Sequence, residues 1–138
     1  MVQIEIAYEG QLRCSATHSP SQTLVQTDAP VDNQGRGESF SPTDLVATAL
    51  GSCTLTILGI VARERDWDLS GASATVIKHM QADPVRRIGK LEVEIRVPGD
   101  FDERARRILE RAAHTCPVNQ SLGADVVREF RFSWGSAS

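Results

Sequence analysis

Ser41-Pro42-Thr43-Asp44-Leu45-Val46-Ala47-Thr48-Ala49-Leu50-Gly51-Ser52-Cys53 is the stretch that decides how this chain is read. Its first residues form a helix start. The Ser41 hydroxyl can accept a first-turn amide, Pro42 suits the first helical position, and Asp44 stands where a reciprocal cap would be. No charge then occurs over residues 45–62. A run of that length approaches the ~20 apolar residues that cross a bilayer. Thr48, Gly51, Ser52, Thr54, Thr56 and Gly59 dilute it, however, and no basic flank or aromatic belt marks its ends. A helix buried on nearly all sides in a soluble core is therefore expected, ending near Arg65 or Asp66. Helical spacing aligns Leu45, Ala49, Cys53 and Ile57, which puts Cys53 mid-helix on a covered face.

Upstream, Val2, Ile4, Ile6 and Tyr8 alternate with Gln3, Glu5 and Ala7, the period of a half-buried strand. Glu9-Gly10 reads as a turn, residues 12–17 and 23–27 as two more strands, and Ser19-Pro20-Ser21 as the turn between them, giving a three-stranded meander. Residues 28–40, with Pro30, Gly35 and Gly37, read as a surface loop leading into the helix. Downstream, residues 72–81 and 88–97 are strand candidates joined through Asp83-Pro84. Asp102 and Glu103 open a helix with Ala105, Ile108, Leu109, Ala112 and Ala113 inside and Arg104, Arg106, Arg107 and Arg111 outside. Pro117 makes Cys116 a cap for a short helix over 117–122, and Phe130, Phe132 and Trp134 mark a last strand. The order predicts a single α+β domain over 1–138 with mainly antiparallel pairing around the central helix.

Composition narrows the function. With 138 residues, 41% apolar and 24% charged, the chain has the balance of one soluble globular domain. A net charge of -3 offers no basic surface to nucleic acid. The N-terminus lacks a secretion signal, and three widely spaced cysteines are an odd number, which together point to a reducing cytoplasm where any disulfide is transient. His18, His79, His114 and the cysteines have none of the close paired spacings of a zinc site, so no metal is expected. Gly35-Arg36-Gly37 is too short for a phosphate loop, and His114, two residues from Cys116, does not face it on a helix.

Cys53 and Cys116 remain as the residues with chemistry, while Cys14 on a strand reads as packing. A lone cysteine on an apolar helix is most often a small buried hydrophobe. A second thiol within reach would change that, because it can trap a sulfenic acid before irreversible oxidation. The thiolate is the nucleophile, and a buried mid-helix Cys53 needs a cation or donor from elsewhere to ionise.

Ser41-Pro42 leading to Cys53, and Cys116-Pro117 before the last strand, together with the element order, resemble the OsmC/Ohr family over nearly the whole chain. The resemblance implies an intertwined homodimer with its sites where the subunits meet. It further implies that Cys53 attacks an organic hydroperoxide and that Cys116 resolves the sulfenic acid to a disulfide reset by an external dithiol, with no cofactor. The family's best-understood members use a glutamate directly after the helix-motif proline, paired with an N-terminal arginine. Thr43 stands at that position here, so Asp44, Arg13 and Arg36 are the candidate activating or substrate-contacting groups, and Phe40, Leu45 and Ile57 the candidate walls of a hydrophobic pocket. The expected partners are a second subunit, a small hydrophobic hydroperoxide and a dithiol reductant, with neither nucleic acid nor membrane. The competing reading is a non-enzymatic module of the same fold that binds a hydrophobic ligand or senses redox state.

Overall fold

The computed structural model describes residues 1–135, so residues 136–138 of the expected domain lie outside the described residues. The chain divides into two compact units, Met1–Val46 and Ala47–Ser138. The first holds the meander β1 (Ile4–Gly10), β2 (Arg13–His18) and β3 (Thr23–Asp28), each antiparallel to the next. Its first turn falls later than the glycine at 10 predicts. Gln11 and Leu12 carry φ of 55° and 63°, as both central residues of a primed two-residue hairpin turn do, although neither is a residue that announces one. Register puts Ile6, Ala16 and Val25 side by side, so Ile4, Ile6, Tyr8 and Val25 share a face. All four are exposed on this chain, Ile6 at 65% and Tyr8 at 67%.

Helix α1 (Pro42–Glu64) begins in the first unit and runs through the second. Its start is a capping box: Ser41 N donates to Asp44 Oδ2 at 2.8 Å, and Asp44 N donates to Ser41 Oγ at 3.1 Å. The covering is narrower than expected. Ala47, Leu50, Gly51, Thr54, Leu58 and Ala62 form the buried stripe, while Thr48, Ala49, Ser52, Thr56 and Ile60 are exposed. Although α1 is long and apolar enough to cross a membrane, 33% of its most apolar window is buried within the chain. A helix that is apolar all round has no period to say which stripe meets the core, and Leu45, Cys53 and Ile57 fall on its half-buried flank while Ala49 is exposed.

The second unit adds β4 (Ser73–Gln81), β5 (Arg87–Val97), α2 (Glu103–Ala113), α3 (Pro117–Ser121) and β6 (Val127–Trp134), with sheet order β4-β5-β6. β4 and β5 are antiparallel, whereas β6 runs parallel to β5 from Lys90↔Val127 to Val97↔Trp134. Parallel neighbours need a crossover of a dozen or more residues, and the segment carrying α2 and α3 supplies it. The inward residues of β5, Leu91, Val93, Ile95 and Val97, pack with Leu50 and Leu58 of α1 and Leu109 and Ala113 of α2. A Cβ added at Gly51 would stand 2.8 Å from Val76 Cγ2, so glycine there lets α1 approach β4 closely. Arg106 of α2 is not simply a solvated charge, since its guanidinium lies 5.6 Å from the Trp134 ring.

Candidate active site

α1 and the turn into α3 bring Cys53 and Cys116 together, with side chains in direct interaction. Both thiols are free. Pro117 fixes the backbone at the first position of α3, and Cys116 is its N-cap, accepting from Asn119 N at 3.3 Å. The preceding amide, that of Val118, donates to the sulfur of Cys53. Two consecutive amides of one turn thus each address one of the two sulfurs. Thr54, fully buried and bonded to Leu50 O at 2.7 Å, also directs its hydroxyl towards Cys116 Sγ at 4.0 Å, a weak contact.

The two thiols differ in access. Cys116 is 0% exposed, whereas Cys53 is half-buried. Burial pushes the Cys53 thiol above its ordinary pKa; the Val118 amide pulls it down, and the hydrogen bond and charge interaction with Cys116 raise it again. The net direction is upward, as mid-helix placement predicts. Cys53 is thus the more accessible of the two interacting sulfurs.

Each of the other candidate residues has surroundings of its own. Asp44 is engaged in the capping box. Arg13 pairs with Glu38 at 2.9 Å and with the buried Asp28 at 3.6 Å, and Asp28 Oδ2 also accepts from Glu38 N at 3.0 Å, which ties the 28–40 loop back to β2. Arg36 is largely exposed, 3.8 Å from Glu38. Phe40 is 51% exposed, with Leu45 and Ile57 half-buried. Arg13 and Cys14 line a cleft of about 340 Å³ with Asp28 and Glu38, and Trp67, Phe101 and Asp68 line another of about 760 Å³. Neither contains Cys53, Cys116, Phe40, Leu45 or Ile57. The groups that do touch the thiols, Thr54, Val118 and Asn119, were not singled out by the sequence. The N-cap rule applied to Cys116 points to Asn119, because a cap accepts from the amide two or three positions into its helix; no comparable signal marks Thr54.

An α+β chain with a thiol in its central helix and a second capping a turn before the last strand defines a class of two-cysteine proteins. The profile of the family described as OsmC-like protein matches residues 35–130. This chain belongs to the OsmC family. A crystal structure of a candidate osmotic stress induced and detoxification response protein from Psychrobacter arcticus is 44% identical, with 96% of each chain covered and a TM-score of 0.91. An organic hydroperoxide resistance protein OsmC from Legionella pneumophila shares the fold at 16% identity, TM-score 0.79 and 96% of each chain. An organic hydroperoxide resistance protein from Elizabethkingia anophelis does so at 15% identity, TM-score 0.78 and 96% and 95% of the two chains. No curated protein matches the sequence.

Proposed function

We propose that this protein is a thiol-dependent peroxidase that reduces organic hydroperoxides. The observation that carries the reading is the pairing of a half-buried Cys53 with a fully buried Cys116 across two donating amides. The Cys53 thiolate attacks the outer oxygen of ROOH, the O–O bond breaks, and RO⁻ takes a proton and leaves as the alcohol. Cys53 is then a sulfenic acid. The Cys116 sulfur attacks the Cys53 sulfur, hydroxide leaves as water, and an S–S bond forms; an external dithiol takes over the disulfide and restores both thiols. The Val118 amide stabilises negative charge on Cys53, a part of the work that a charged pair does in relatives with the helix-motif glutamate. No cofactor is required by this cycle.

The apolar face of Ile4, Ile6, Tyr8 and Val25 and the uncovered stripe of α1 support a homodimer as the working form. A reducing cytoplasm suits this cycle, because its disulfide must be transient. The test is peroxide loss with tert-butyl hydroperoxide and dithiothreitol for wild type, Cys53→Ser and Cys116→Ser. Turnover in wild type that disappears in Cys53→Ser, with Cys116→Ser accumulating over-oxidised Cys53, is the expected result. Folded, reduced wild type that consumes no peroxide would leave the non-enzymatic ligand-binding or redox-sensing reading in its place.

A further inference from the structure

Arg128 on β6 makes four hydrogen bonds, all to uncharged oxygens of the segment that follows Cys116. Nε donates to Asn119 Oδ1 at 3.0 Å and Nη2 to Asn119 O at 3.4 Å, while Nη1 donates to Gly123 O at 2.7 Å and Val126 O at 2.6 Å. Asn119 is 8% exposed and is held on every polar side. Its Nδ2 donates to His114 O at 2.9 Å, its side-chain and backbone oxygens receive Arg128, and its N–H donates to Cys116 Sγ. A guanidinium presents its donors in a rigid plane, so these bonds fix the turn in orientation as well as position. Through Asn119, that plane sets where the Cys116 sulfur stands relative to Cys53.

We infer that Arg128 is a positioning residue for the resolving step, acting through Asn119 to hold the Cys116 sulfur in line with the Cys53 sulfur. The inference rests on the two-cysteine cycle above. It concerns the second step alone: the Cys116 sulfur displaces hydroxide from the sulfenic acid, and that displacement competes with a second hydroperoxide, which would carry Cys53 to sulfinic acid. A misplaced Cys116 slows closure without slowing the first attack, and the sulfinate to disulfide ratio rises. General loss of stability has no reason to shift that ratio in protein that remains folded.

Arg128→Met, Arg128→Lys and Asn119→Ala are the variants. Asn119→Ala removes the side chain that Arg128 and His114 share but keeps the amide that donates to Cys116. Reduced protein is treated with tert-butyl hydroperoxide, and peptide mass spectrometry counts Cys53 sulfinate against the Cys53–Cys116 disulfide. A parallel arm uses diamide, an azodicarboxamide, and so does not depend on peroxidase activity. There Cys53 adds to the N=N bond, Cys116 displaces the S–N adduct, the two thiol hydrogens end on the hydrazine product, and decay of the adduct gives the closing rate. Arg128→Met should close about tenfold more slowly and raise the sulfinate ratio by a similar factor, with Asn119→Ala in the same direction. Arg128→Lys should recover part of the loss, since one ammonium replaces some but not all of the bonds. Unchanged closing rates and product ratios in folded variants would overturn the inference, and if Arg128→Met does not fold, Asn119→Ala decides. Wild type that closes with diamide but is inert to hydroperoxide would sink the peroxidase reading and leave the positioning role to be judged on the diamide arm.

Discussion

Cys53 is pulled in two directions, upward by burial and by Cys116 and downward by the Val118 amide, and the upward pull prevails. A raised pKa leaves less thiolate at neutral pH than a free cysteine has, so reactivity should keep climbing as pH rises through and beyond the ordinary thiol value of ~8.5. Iodoacetamide labelling of Cys53 across pH, followed at the peptide level, should place the midpoint above that value. In Cys116→Ser the midpoint should fall, because the thiol that raised it is gone. A labelling rate already on its plateau at pH 7 would contradict this account. Both cysteines could be picked out beforehand because each lies in a distinctive local context, Ser41-Pro42 upstream of one and Pro117 after the other. Thr54 and Arg128 could not, since a threonine within a helix and an arginine in a strand carry no local mark of what they touch.

At the level of elements, Gly51 separates two opposed effects. Alanine in a helix interior is favoured over glycine by ~1 kcal/mol. Here the added methyl would meet Val76 Cγ2 at 2.8 Å, a short and stiff side chain in the wall of the core, and overpacking costs ~1–3 kcal/mol. Gly51→Ala should therefore lower stability, read as a lower urea midpoint with an unchanged slope; a raised midpoint would mean that β4 can give way. The strands and helices themselves were largely legible, because β1 and β5 alternate cleanly, Ser41 is a recognisable cap, confirmed by its bond to Asp44 N, and Asp102 was read as part of a helix start, where it proves to be the cap that accepts from Ala105 N. Which face of α1 meets the core was not legible, since small and apolar residues surround it. Nor was the direction of β6, because alternation within a strand is the same whichever way its neighbour runs.

For the molecule as a whole, the uncovered apolar residues are the main unsettled account within a single chain. Ile4, Ile6, Tyr8 and Val25 are arranged by the ladder into one contiguous face, and a face of this kind usually marks an interaction site. Light scattering should return a dimer for wild type. Ile6→Asp places a charge in the centre of that face and should shift the protein to a folded monomer. A wild-type monomer would remove the dimer from the proposal. The α+β class and the family were readable from element order plus the two cysteine contexts; the contacts of Thr54 with Cys116 and of Val118 with Cys53 were not, because each joins segments far apart along the chain.

The parallel pairing of β6 with β5 has a further consequence during synthesis. Chains emerge N-terminus first, and pairings between distant segments form late. Cys53 therefore leaves the ribosome well before the turn that carries Cys116, and the strand whose Arg128 secures that turn is later still. On the proposed cycle, Cys53 would spend that interval without its resolving neighbour, and its protection against over-oxidation would wait for β6.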